Sequence, residues 1–520
     1  MKKMTLHAGF FLLAFLLLHS APMSASAQTG DDALRLADRT PGLTARNMGL
    51  AGTGVAGVMD ASAFFSNPAG LGWAERSTAA GSFASGVTSD KGNFNAPGVS
   101  TSIEDEFSES GLGSLSYLFK APTSQGSIVL GASVSEVMSW NRTMSFDGDN
   151  GSNSVTDYFM PFSGEFELVD DGDGGVFPEF SRPLSFIAFE TYAIDLDGGL
   201  LAAGENVPFL PAVSYGTVAQ FGFVEDTGKM YELNFGGAAE AAKDVMVGFS
   251  LNIPVGSFER FRVLEEDDYL NDNDGTGGTT DFAHLYFSEE LRTDIVGVNA
   301  RFGVSAQPDE NIRVGATIET PTYYAIEESY STYLETEFDN GDFYSYGDAS
   351  GQNAASGSFD YTLKTPWKLS AGASYSVGNL AVMGDVEWLD WSQMEFDAND
   401  YDFKAENLEI RNSLESVLNI RLAASYDVAD WQVRAGFGRY PDARSTQDFR
   451  GEGFPTVDRK RDVASLGLGY RLNDRMGIDI AWMQESFDDR TDLYIDVTDA
   501  PYMLEEVTRS RFQIGFSYGF

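Results

Sequence analysis

The 520-residue chain contains no cysteine. That excludes disulfides, a lipid-anchored cysteine and every cysteine-bearing zinc site. Histidine is nearly absent, with His7, His19 and His284 only. Basic residues are scarce: Lys+Arg is 34 against 78 Asp+Glu, a formal net charge of −44. Such a chain repels phosphate backbones, which excludes nucleic acid as a partner. Long apolar runs are missing too. Past the first twenty residues nothing approaches the ~18 residues that a membrane-crossing helix needs. What is abundant is aromatic residues, at 13%, and glycine, at 55 residues. That mixture suits many strands joined by tight turns.

The one clear apolar run, Ala8 to Leu18, follows Lys2 and Lys3 and precedes Ala25-Ser26-Ala27. In that order these are the regions of a secretory signal peptide spanning 1–27, so the mature chain is expected to start at Gln28. Its removal leaves one histidine, His284, in "DFAHLYFSEE" with no serine elbow beside it. A Ser-His-Asp hydrolase of the outer membrane could use only that residue; a loop or strand-end histidine is the competing reading. The expectation is therefore no enzyme, no catalytic residue, no metal site and no cofactor.

Residues 28–76 show no strand alternation. They include "DASAFFSNPAGLGWAE", where Phe64 and Phe65 lead into Asn67-Pro68-Ala69-Gly70. Proline drives the residue before it out of the helical region, so this reads as a turn. From Ser77 the hydrophobic period is two. Fourteen strands are expected, over 77–87, 112–120, 127–140, 231–240, 244–264, 289–306, 311–335, 357–376, 379–396, 414–427, 430–440, 461–472, 475–487 and 506–520. Six short connections alternate with seven long ones: 88–111, 141–230, 265–288, 336–356, 397–413, 441–460 and 488–505. An even-stranded outer-membrane barrel sorts its connections this way, with short periplasmic turns and long external loops, so a monomeric barrel is expected.

The faces agree. Leu418, Ile420, Leu422, Ala424 and Tyr426 oppose Asn419, Arg421 and Ser425; Leu380, Val382, Val386 and Trp388 oppose Asp385 and Glu387. Apolar-out and polar-in alternation fits a wall between lipid and a wet lumen, whereas a soluble barrel would invert it. The chain ends "RFQIGFSYGF", with Phe512, Ile514, Phe516, Tyr518 and Phe520 on one face. That pattern suits a closing strand against outer-membrane lipid, and it resembles the C-terminal signal read by the outer-membrane assembly machinery. Acid-rich stretches such as "SIEDEFSES", "DDGDGG" and "LEEDDYLNDND" read as solvated loops. None has the first aspartate of an EF-hand loop in place.

These motifs together resemble the FadL family of outer-membrane transporters of long-chain fatty acids and other hydrophobic compounds. The segment "AGTGVAGVMDASAFFSNPAGL" is similar to that family's N-terminal hatch, with Asn67, Pro68 and Ala69 at its Asn-Pro-Ala signature. Trp388, Asp390, Trp391 and Ser392 match a later strand, and Pro441-Asp442 matches the closing third. Residues 141–230 are unmatched and look like a large external insertion.

The resemblance implies an all-β fold, a 14-stranded antiparallel transmembrane β-barrel over 77–520 plugged by a hatch at 28–76, in the bacterial outer membrane. It implies passive uptake of a hydrophobic small molecule, gated by Phe64, Phe65 and the Asn67–Gly70 turn. A kink in the third strand, with Gly131 as the candidate, would open a lateral path. Arg421, Arg434 and Arg511 face inward by parity and are candidates for a ligand carboxylate or members of a structural charge ladder. A non-transporting partner barrel, similar to PorV-type barrels of secretion systems, shares the glycine-rich start and stays open as the alternative.

Overall fold

From Thr78 onward, each long segment that alternates apolar and polar residues forms a strand, because alternation lets one face meet lipid and the other the lumen. The structure is a computed structural model that describes residues 29–39, 44–170, 175–272, 281–347, 355–444 and 457–520. The expected signal peptide and its cleavage site lie outside the described residues.

The strands are β1 Thr78–Ala96, β2 Val99–Lys120, β3 Ile128–Ser139, β4 Val218–Ala242, β5 Val245–Asp267 and β6 Phe282–Asp309. Next come β7, in two pieces (Ile312–Glu319 and Tyr323–Phe338), and β8, also in two (Ser356–Lys364 and Lys368–Val377). The rest are β9 Leu380–Asp390, β10 Ser416–Val428, β11 Trp431–Tyr440, β12 Arg461–Asn473, β13 Met476–Asp492 and β14 Tyr502–Gly519. Each pairs antiparallel with its sequence neighbour, and β14 returns to β1 from Thr78↔Gly519 to Asn95↔Tyr502. Fourteen staves thus close a barrel with no free edge, which is what hydrocarbon demands of a sheet.

The outer face carries the lipid-facing residues. Leu115, Leu422, Leu466 and Phe512 are each more than half exposed. In water each would forfeit about 1.5–3 kcal/mol of burial; in a bilayer none is lost. No helix among the described residues is long and apolar enough to cross a membrane.

All fourteen expected strands are present, several running further than read. Two long connections are corrected. Residues 88–111 are not a loop: β1 and β2 continue as one hairpin to a turn at Pro97-Gly98, with Gly98 at φ +81°. The acid of "SIEDEFSES" therefore lies on β2, where it still alternates between exposed and half-buried positions. The insertion is shorter than 141–230. Arg142–Asn150 is a strand along the outer part of β4, and β4 itself begins at Val218.

Of what remains, the described residues 151–170 and 175–217 fold as a cap of short helices (Val155–Phe159, Pro183–Glu190, Gly198–Ala203) and two small hairpins. Its apolar core, with Val155, Phe159, Ile187 and Ile194, is continuous with Phe94, Phe146, Leu264, Leu285 and Phe338 of the strands' outer ends.

Candidate functional site

The segment before β1 lies inside the barrel. Helix α1, Gly30–Ala37, is started by a capping box in which Thr29 and Asp32 satisfy each other's backbone N–H. Its apolar stripe, Ala33, Leu34, Leu36 and Ala37, is buried in a lumenal cluster with Val137, Met138, Phe258, Tyr324, Leu389 and Trp391. Trp140 Nε1 donates to Arg35 O at 2.9 Å, tying α1 to the end of β3. Short helices α2, Ala45–Met48, and α3, Ala63–Ser66, follow, then a tight turn over Pro68–Trp73.

Asn67 pins this turn to the wall. Fully buried, it donates from Nδ2 to Val55 O (2.8 Å) and Val304 O (3.0 Å), and accepts from Ala69 N (3.1 Å) at Oδ1. Pro68 begins the turn, where no N–H is needed. The wall makes room with glycine: a Cβ on Gly303 would stand 1.9 Å from Asn67 Oδ1, and one on Gly248 would stand 2.2 Å from Ala69 N. Gly70 lies against Val58 O, closer than any side chain would permit. Phe64 is fully buried against Leu118, Val129 and Ala238 of β2, β3 and β4. Its carbonyl accepts from Arg301 Nη1 at 2.9 Å. Phe65 is half-buried, with the Arg301 guanidinium 6.0 Å from its ring centroid. The hatch residues therefore do converge on one wall, at β2 to β7.

Other anchors are inward-facing residues to which the sequence reading gave no contact with the plug. Asp385 on β9 accepts from Gly54 N (2.6 Å) and Val55 N (3.0 Å). Arg301 on β6 bridges Glu232 (2.8 Å) and Glu319 (2.5 Å), and Arg39 of the plug reaches the same two carboxylates. Around the wall, Ser133, Asn234, Asn252, Asn299 and Thr322 form a hydrogen-bonded chain across β3 to β7. Parity could have found Arg301: in "VNARFGVS" the polar residues alternate with Val298, Phe302 and Val304, which are exposed. A cavity of about 100 Å³ remains between plug and wall, lined by Arg39, Phe65, Lys368, Trp391 and Arg421 among others.

The three expected carboxylate contacts are not brought together. Arg421 lines that cavity and sits 3.7 Å from Glu387. Arg434 pairs with Asp479 (2.6 Å) and lines a separate cavity of about 390 Å³ at the short-turn end. Arg511 on β14 pairs with Glu136 on β3 (2.7 Å), lining neither of these cavities. Each serves in a charge pair.

Gly131 is corrected as well. Its register, to Leu118 on one side and Gly236 on the other, is regular. The register shift in β3 falls between Glu136 and Met138. A Cβ on Gly131 would stand 2.6 Å from Leu118 Cδ2, 2.8 Å from Tyr117 O and 3.2 Å from the Phe64 ring tip, so the glycine gives space to β2 and to the plug.

The shift at Glu136–Met138 coincides with a break in the wall. The β2–β3 ladder runs only from Lys120↔Val129 to Ser114↔Ser135. Beyond it β2 pairs with β1 alone, while β3 turns Val137 and Met138 into the lumenal apolar cluster. Side chains close the resulting seam. Glu109 of β2 accepts from Lys229 (2.8 Å), Ser139 Oγ (2.9 Å) and Asn141 Nδ2 (2.6 Å). Glu136 joins Lys229 (3.2 Å) to Arg511.

A closed, lipid-faced barrel with a folded N-terminal segment in its lumen defines an outer-membrane barrel protein. The sequence profile of the outer membrane protein transport proteins (OMPP1/FadL/TodX) matches residues 232–491, and the chain belongs to that family. It is similar in fold to the toluene transporter TodX of P. putida, at 13% identity and TM-score 0.50, with 92% of this chain and 99% of that one covered. It is similar too to a FadL homologue of Pseudomonas aeruginosa, at 13% identity and TM-score 0.51, covering 93% and 99%. No protein of curated function matches the sequence.

Proposed function

We propose that the chain is a passive outer-membrane channel for long-chain fatty acids or other hydrophobic compounds, gated by its N-terminal plug and discharging sideways through the β2–β3 seam. The observation that carries the reading is the ladder break at Ser114↔Ser135, next to an apolar chamber built by Val137, Met138, Phe258, Tyr324 and Trp391. A route straight through the plug is opposed by its chemistry. Arg39, Glu232, Arg301 and Glu319 are ion-paired there and mostly buried, and an apolar solute cannot replace any of those contacts. At the seam, by contrast, only side chains need to part. No backbone–backbone ladder bond is broken there.

In this mechanism the long-loop end faces outward. A ligand enters the apolar chamber by displacing α1, which already fills it with Leu34 and Leu36. Because Trp140 holds Arg35 O, movement of α1 pulls on the β3 end that borders the seam. The Glu109–Lys229–Glu136–Arg511 cluster then opens, and the ligand partitions into lipid down its gradient. In this scheme Arg511 acts on the gate, whereas Arg421 faces the lumenal cavity.

The test is uptake of a labelled long-chain fatty acid by cells lacking their own transporter. The Glu109→Lys protein, which places three cations in the seam, should take up the label faster than the unmutated protein. Equal rates, with both barrels assembled, would exclude the seam as the exit.

A further inference from the structure

The cap over 151–217 has no part in the mechanism so far, yet it closes one end of the barrel. Phe159 packs edge-on against Phe287 of β6 with centroids 5.2 Å apart, Phe186 of the cap meets Tyr346 edge-on, and Tyr192 lies tilted against Tyr344. Ala188 and Ile194 at its centre are fully buried. Under its first helix lies Glu266, near the outer end of β5 and fully buried. A tilted strand crosses a bilayer in about 9–11 residues. The exposed apolar residues of β5 run from Val247 to Phe261. A crossing that starts at Val247 ends near Ser257, so Glu266 lies beyond the membrane-spanning part and past the last exposed apolar residue of the strand.

Glu266 accepts from Val155 N (2.7 Å) and from Ser154 Oγ, both in the cap, and from Gln220 Nε2 of β4 (2.6 Å). Among the described residues no Lys, Arg or His lies within ion-pairing distance of it. The titratable groups that face it are Asp157, on the cap helix, and Tyr494, from the β13–β14 connection, which shares Gln220 with it. Its strand partners are Gln220 on β4 and Leu285 on β6, neither of them charged. The carboxyl group thus joins cap to wall at a site where, among the described residues, no cation lies within ion-pairing distance of a charge there.

We propose that the cap is a movable lid, that Glu266 is its latch, and that loss of the Glu266 proton releases it. The inference rests on the channel reading for its purpose, but its test reads lid position and not transport. Burial pushes the Glu266 carboxyl up to about 7, only partly opposed by its hydrogen bonds to Ser154, Gln220 and Val155. A carboxyl that holds its proton more tightly under the lid than in water favours the closed lid at low pH. Between the ordinary value of 4.5 and about 7, each pH unit favours opening tenfold, up to about 300-fold in total. Above that range both states are ionised and the dependence ends.

Because the chain has no cysteine, a single one can report the lid. A cysteine at Ala188, a lid residue buried in the apolar core that the lid shares with the strand ends, would be labelled with maleimide in outer membranes from pH 4.5 to 8. Its rate is divided by that of a cysteine at the exposed Tyr215, which removes the titration of the thiol itself. The normalised rate should climb by one to two orders of magnitude and level off near pH 7. Glu266→Gln, a carboxyl that cannot ionise, should abolish the climb and keep the acid value throughout. Ser154→Ala, which removes one donor to the carboxylate, should move the midpoint to higher pH, and it serves if the first variant does not assemble. A normalised rate independent of pH, a climb that survives Glu266→Gln, or an unmoved midpoint in Ser154→Ala would each overturn the latch.

Discussion

Replacing Asn67 with alanine should unseat the plug while leaving the barrel whole. The substitution strips Val55 O, Val304 O and Ala69 N of their partner at one stroke. Each orphaned, buried polar group costs roughly 1–3 kcal/mol. With water able to reach some of the three once the turn loosens, the sum is about 3–6 kcal/mol, which multiplies the undocked population by roughly 10²–10⁴. The other anchors, Asp385 to Gly54 and Val55 and Arg301 to Phe64 O, remain, so the plug should loosen locally around 54–73 and not leave outright. The assay is hydrogen exchange on purified protein, comparing amides of 54–73 with those of β1 and β14. Faster exchange confined to the plug, with unchanged heat-modifiable migration, is expected. If plug amides stay as protected as in the unmutated protein, Asn67 is not the pin and the accounting above is wrong.

Two further outcomes follow from the plug contacts and two from the chain ends. Gly303→Ala, whose new Cβ would overlap Asn67 Oδ1, should loosen the same amides as Asn67→Ala, and the double variant should add little. Asp385→Ala should expose Gly54 and Val55 to exchange without disturbing the Pro68–Trp73 turn, a separation that hydrogen exchange can resolve. Deleting Phe520, which is exposed beside Tyr117 and Tyr518, should lower the yield of assembled barrel several-fold, read as the heat-modifiable fraction in membranes; an unchanged yield would remove it as an assembly signal. N-terminal sequencing of membrane-fraction protein should begin at Gln28, and a start at Met1 or beyond Asp60 would overturn the signal-peptide assignment.

The barrel was legible in the sequence because lipid imposes a two-residue period that nothing else on a strand overrides. The faces of β9 and β10 came out as read, with Val386, Trp388, Leu418 and Leu422 exposed and Asp385 buried. Strand ends were less legible, since past the bilayer the wall meets water on its outer face. There "SIEDEFSES" alternates in acid and hydroxyl residues, with little of the hydrophobic contrast that marks a strand. The plug motif was visible as a turn, but its anchoring was not. Asn67 touches Val304, and Asp385 touches Gly54, across more than two hundred residues of chain.

Single glycines misled in the same way. Gly131 carries the composition of a bend, yet it makes room for Leu118 and Tyr117 of β2 and for the Phe64 ring, and the irregularity falls at Val137, where no glycine marks it. The three inward arginines were placed on the correct face. Parity cannot show that Glu136, Glu387 and Asp479 already attend them.

The central claim is that a hydrophobic compound crosses this barrel passively and leaves through the seam. It is tested most directly by uptake in transporter-deficient cells of a radiolabelled long-chain fatty acid and of a monoaromatic hydrocarbon, with and without collapse of the proton-motive force. At least one should enter only when the protein is present, at a rate indifferent to energy and raised by Glu109→Lys. Failure of both to enter through a correctly assembled barrel, with a secretion-complex protein recovered alongside it in stoichiometric amount, would contradict the channel and favour the partner-barrel alternative.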